Sequence, residues 1–137
     1  MKDQLTQTLT DLVSVSNAAR IAHWNIVGKD FYQLHLMFER IYDTLSGQLD
    51  TLAEQSRGCG LEIPSKIFNS VPEVEWSDSE DLVKEIGRLN SKYKSSLKDL
   101  HQDCGDEGNL GFVNVIEGFL SDVNTVEYLL KSTADLL

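Results

Sequence analysis

The sequence predicts an all-α fold, a four-helix bundle with one long crossover between its second and third helices. Three observations point there. Apolar residues recur every three or four positions in four separate segments, no segment sustains the alternation of a strand, and both prolines fall in one stretch between the second and third segments. The 137 residues suffice for one core without covalent staples, so a single domain is expected over residues 1–137.

The first helix follows Leu5, Leu9, Leu12, Ser16, Ala19, His23 and Ile26, one face that includes a histidine. Gly28 is expected to stop it, and Asp30 to cap the next. The second helix carries Phe31, Leu34, Phe38, Ile41, Leu45, Leu49 and Leu52 before Gly58 and Gly60 break it. So short a turn between them forces an antiparallel hairpin. Residues 58–76 hold Pro64 and Pro72, and Ser65 to Asn69 are expected to form a short helical piece.

Ser77 and Glu80 have the spacing of a capping box for a third helix, with the face Leu82, Ile86, Leu89, Tyr93, Leu97 and Leu100. Gly105 to Gly108 are expected to turn the chain. Asn109 then caps a fourth helix along Phe112, Ile116, Phe119, Val123, Val126 and Leu130. Helices of about 25 residues are about 38 Å long. A connection of roughly 18 residues reaches about 60 Å. The crossover can therefore run the bundle's length and make helices two and three parallel. An up-down bundle with a decorated loop is the alternative.

Net charge is −10, with no basic tail at either end, so a phosphate backbone is a poor partner and cations a better one. No apolar run approaches the roughly 20 residues of a membrane span. The start lacks the basic-then-apolar pattern of a secretory signal, so a cytoplasmic location is expected. Cys59 and Cys104 lack metal-type spacing and are expected to be reduced thiols.

Ionisable residues on a buried stripe need a partner, because burying them unpaired costs several kcal/mol, of order 2–7 for a polar group alone. His23 and His35 flank the hairpin turn at equal distance, which places their imidazoles at one height. Glu39 follows His35 by one turn. Two nitrogens and a carboxylate suit Fe(II), Zn(II) or Mn(II). Asp50 and Glu54, again four apart, lie on the same side of the second helix, but Asp50 is about 22 Å along the axis from His35. No single ion bridges that distance. A two-fold dimer does: second helices packed antiparallel about the level of Leu45 would bring His23, His35 and Glu39 to Asp50 and Glu54 of the neighbour. The same residues have plainer readings, as hydrogen-bonded core histidines and a solvated acidic face. His101 lacks a matching partner and is expected at the surface. Trp24, beside the histidine pair, is expected in core or interface packing.

The run His23-Trp24-Asn25-Ile26-Val27-Gly28-Lys29-Asp30-Phe31-Tyr32-Gln33-Leu34-His35, with Glu39 and then Asp50-Thr51-Leu52-Ala53-Glu54, resembles the Dps mini-ferritins. Their pattern is H-W-N-x-x-G-x-x-F-x-x-L-H, an acid four residues on, then D-x-x-x-E. The match covers about a third of the chain. The resemblance implies a ferritin-like fold and a dodecameric hollow shell. It also implies inter-subunit ferroxidase sites, with His23, His35 and Glu39 from one subunit and Asp50 and Glu54 from its partner.

Such proteins typically oxidise Fe(II) with hydrogen peroxide in preference to oxygen and mineralise the ferric product inside the shell, which protects against oxidative damage. Zinc would fit the same ligands. Acidic residues near the start of the last helix line pores in such shells, and Asp103, Asp106 and Glu107 are the candidates here. Three departures stand out: Gln55 where arginine is frequent, no basic tail for DNA, and Val126-Glu127-Tyr128 where a tryptophan is common. The E-x-x-H pair of the larger ferritins is absent. DNA protection with little ferroxidase activity is the alternative function; a charge of −10 counts against it.

Overall fold

The computed structural model describes residues 1–136, and their side chains through residue 134. Four long helices account for most of the chain: α1 (Lys2–Asn25), α2 (Phe31–Gly58), α3 (Ser79–Asp106) and α4 (Leu110–Leu136). The crossover contains a 3-10 turn at Ser65–Asn69, where the short helical piece was expected. Among the described residues there is no strand.

Side-chain contacts fix the helix directions. Gln4 and Thr8 of α1 reach the carbonyl of Ser96, while Asp11, further along α1, meets Lys92, earlier on α3. α1 therefore runs antiparallel to α3. It also runs antiparallel to α2, because His23 meets His35 and Ser16 meets Ser46. Two helices antiparallel to the same third one are parallel to each other. The crossover thus runs the length of the bundle, and the up-down alternative is excluded.

α1 is the inner helix, packed against α2, α3 and the 3-10 turn together. Every residue from Asp11 to Ser16 is buried, not only one stripe. Its buried acid accordingly finds partners, although the buried Arg20 Nε, also on α1, has none among the described residues. The Asp11 carboxylate, almost fully buried, accepts hydrogen bonds from Ser96 and Gln7 and lies 3.6 Å from the Lys92 ammonium. Across the bundle, the Tyr93 hydroxyl donates to Gln48 Oε1 at 2.6 Å. The Gln48 amide in turn reaches Asp122 at 3.3 Å and the Phe119 carbonyl at 3.4 Å. Burial pushes the Tyr93 phenol far above its ordinary range, so it stays a neutral donor. Asn90 Oδ1 is a buried acceptor left without a partner among the described residues.

The helix ends depart from expectation in informative ways. Gly28, at φ +105°, does turn the chain after α1. Asp30 occupies the N-cap position of α2 but makes no side-chain capping bond. α3 starts beyond the expected capping box: Asp78 is the cap, its carboxylate accepting from the Asp81 N–H at 3.0 Å. Ser77 instead donates to Glu75, and Glu80 pairs with Lys84. A carboxylate suits a helix N-terminus better than a hydroxyl, because the dipole favours its charge. Gly105 remains helical, and the turn falls on Glu107 to Asn109 with Gly108 at φ +73°. Asn109 caps α4 as expected, accepting from the Phe112 N–H at 3.2 Å.

Cys59 and Cys104 are both free thiols. Burial, then the neighbouring Cys59 thiol, pushes Cys104 up to about 11. Among the described residues no helix is long and apolar enough to cross a membrane. At fixed protein concentration, Asp78→Ala should lower unfolding stability by about 1 kcal/mol, the ordinary worth of an N-cap, while Ser77→Ala changes it little. Denaturant titration of both variants checks the assignment; an equal loss in the two would return the cap to Ser77.

Candidate metal centre

The centre begins with the register of the first hairpin. His23, in the last turn of α1, and His35, in the first turns of α2, lie face to face, with ring centroids 3.8 Å apart and planes 16° from parallel. The His23 Nδ1–H donates to the His35 carbonyl at 2.8 Å, and the His35 Nδ1–H donates to the His23 carbonyl at 2.7 Å. A carbonyl only accepts, so both rings carry their proton on Nδ1. With Nδ1 engaged in this way, Nε2 is the nitrogen of each ring left to bind a metal. His23 is buried and His35 half-buried. Phe31 stacks on His35 with centroids 4.8 Å apart and remains 40% exposed, so it covers the pair from the solvent side.

Glu39 sits one turn beyond His35 and is half-buried. Asp50 and Glu54 are exposed on α2. Within one chain the two histidines are brought together, and the two distal carboxylates are not brought to them. Among the described residues no three histidine, cysteine or acidic side chains gather closely enough to hold a metal ion. Within one chain the five expected ligands therefore do not form one cluster.

Beside the histidine pair several large apolar side chains are exposed, with Asn25, Lys29 and Gln33 exposed among them. Trp24 is 66% exposed, Tyr32 68% and Val27 61%, with Leu36 also exposed. Trp24 is therefore not core, which leaves interface packing as its expected role. His101 is half-exposed and lies 3.6 Å from Glu117, near the surface position expected for it. Asp103 is half-buried at the end of α3, and Asp106 and Glu107 are exposed beside it.

One residue touching the pair, and one stacked behind that, went unnoticed in the sequence. The Tyr42 ring meets His23 at 5.3 Å and 68°, and the Arg20 guanidinium lies 4.9 Å over the Tyr42 ring. Their spacing was a usable signal: Tyr42 follows His35 by seven residues, two turns along one face, and Arg20 precedes His23 by three.

A ferritin-like domain model matches residues 2–137, nearly the whole chain. The chain is a ferritin-like protein of the Dps type. It is 26% identical over 136 residues to the DNA protection during starvation protein of Porphyromonas gingivalis, covering 95% of this chain and 86% of that one. Dps from Staphylococcus aureus superposes with a TM-score of 0.85 at 20% identity, over 96% of this chain and 93% of that one. A Vibrio cholerae Dps protein, described as a member of a broad superfamily of ferritin-like diiron-carboxylate proteins, gives 0.83 at 23% identity, over 96% and 86%. Membership fits the parallel α2 and α3 and the full-length crossover already described.

The tautomers are directly checkable. With 15N-labelled histidine and His101 replaced by Gln, solid-state NMR of metal-free protein at pH 8 should show both remaining rings protonated at Nδ1. An Nε2-protonated signal from either ring would contradict the reciprocal clamp.

Proposed function

We propose that this chain oxidises and stores iron, as a subunit of a hollow homo-oligomer whose ferroxidase sites lie between paired subunits. An iron-related role follows from the family. The observation that carries the finer reading is the histidine clamp. Two imidazoles bonded through Nδ1, with Nε2 left for a metal and Glu39 one turn away, form an incomplete donor set next to several exposed large apolar side chains. Contiguous exposed apolar residues mark contact with another chain. Asp50 and Glu54 face solvent on the same helix, where an antiparallel partner would carry them to the histidines. Leu45, at the level of the two-fold, is itself buried, and the surface there presents Asp43 and Gly47.

In this reading His23, His35 and Glu39 of one subunit and Asp50 and Glu54 of the other bind Fe(II) as substrate. Imidazole and carboxylate together suit Fe(II), and zinc competes for the same donors. The carboxylates offset the charge gained when Fe(II) becomes Fe(III). Hydrogen peroxide or oxygen accepts the electrons, and the ferric product mineralises inside the shell. The DNA protection in the relatives' names is not carried over, because a net charge of −10 opposes a phosphate backbone.

Light scattering after size-exclusion chromatography should give a particle near twelve times the chain mass of 15.4 kDa at neutral pH. A monodisperse monomer would contradict a shared site. His23→Ala and Glu54→Ala should each slow Fe(II) oxidation by roughly tenfold or more with the shell still assembled, since even outer partners of a metal ligand are worth 10–100-fold. Stopped-flow absorbance with peroxide and with oxygen as oxidants reads this directly, and wild-type rates in both variants would sink the ligand assignment.

A further inference from the structure

One hydrogen bond fixes a point on an imidazole, not the plane of the ring. His23 and His35 each have one, at Nδ1, and each ring would be free to tilt about it. The stack between them restrains their facing sides. Beyond His23 the next contact is Tyr42, whose ring meets it at 68° with centroids 5.3 Å apart, and beyond His35 it is Phe31. Phe31, His35, His23 and Tyr42 thus make one continuous run of four rings between α1 and α2. Arg20 closes its inner end, 4.9 Å over the Tyr42 ring. The guanidinium makes one hydrogen bond, from Nη2 to the Ser46 hydroxyl at 3.2 Å, with Ser46 and Ser16 sharing a further one of 2.7 Å, while its buried Nε has no partner among the described residues.

We propose that Tyr42 and Arg20 are positioning residues for the histidine pair, holding the plane of His23 so that the two Nε2 donors keep the spacing a bound ion needs. This rests on the ligand assignment proposed above for His23 and His35. Arginine fits the role because its planar guanidinium stacks on an aromatic face while its N–H groups reach a hydroxyl. Its charge works the other way. A permanent cation close to a metal site repels the incoming ion, so charge alone would make Arg20 weaken binding. Positioning and repulsion therefore predict opposite signs for the loss of Arg20.

The test uses the assembled full chain with Co(II) alone as probe, whose visible absorption bands report both affinity and ligand geometry. Tyr42→Leu should weaken Co(II) binding about tenfold and shift the bands, as removal of outer partners of a ligand does. Tyr42→Phe keeps the ring and should bind like wild type. Arg20→Met should weaken binding and shift the bands, and so should Arg20→Lys, which keeps charge but loses the planar group. Unchanged affinity and spectrum in Tyr42→Leu, or tighter binding in Arg20→Met, would overturn the proposal. If Tyr42→Leu fails to assemble, Arg20→Lys and Tyr42→Phe decide: a loss in the first with none in the second supports positioning, and no loss in the first overturns it. Co(II) binding that is absent in wild type, or that survives His23→Ala, would overturn the ligand assignment and this inference together. Binding abolished by His23→Ala but normal in Tyr42→Leu and Arg20→Met would overturn the positioning role alone.

Discussion

Residues 26–30 connect two helices of 24 and 28 residues, and nearly everything else about the site follows from how short that connection is. It allows α2 to return along α1 in only one register. In that register His23 stacks on His35, and Ser16 meets Ser46 further along. The same register lets each histidine use the other's backbone carbonyl, so each Nδ1 finds its acceptor without drawing on any third residue. A shift of one residue would rotate either ring by about 100° around its helix and break both bonds.

The remaining helices are oriented by buried polar contacts as much as by apolar packing. Leucine faces slide with little penalty, whereas a buried carboxylate or amide has few acceptable partners. Asp11 against Ser96 and Lys92 sets α1 on α3, and Gln48 between Tyr93 and Asp122 ties α2 to α3 and α4. These contacts demand that α2 and α3 be parallel, and so demand the long crossover. With α2 packed on α1 and α4, its other face is left bare, carrying Asp50 and Glu54 away from the histidines of its own chain. The bundle separates the two halves of the proposed site by construction, and only a second subunit restores them.

Much of this was legible in the sequence because it is local. Helical periodicity, the glycine at φ +105° after α1 and the amide cap of Asn109 depend on neighbours within four residues. The capping box at Ser77 misled for the same local reason: Ser77 and Asp78 are adjacent capping residues, and the choice between them turns on where the crossover delivers the chain to α3. Trp24 shows a different limit. Its spacing says that it sits near the histidines, but whether it faces the core depends on which side of α1 the other helices occupy, and it proves exposed.

The sequence by itself determined the four helices, the equal distance of His23 and His35 from the turn, and the separation of Asp50 and Glu54 from them along the second helix. Each is a matter of spacing along a rod of known pitch. Only the tertiary structure decided that both imidazoles carry their proton on Nδ1, and that Tyr42 and Arg20 continue the ring column behind them. Those facts depend on distances between atoms of two different helices, which periodicity constrains to a face but not to a contact.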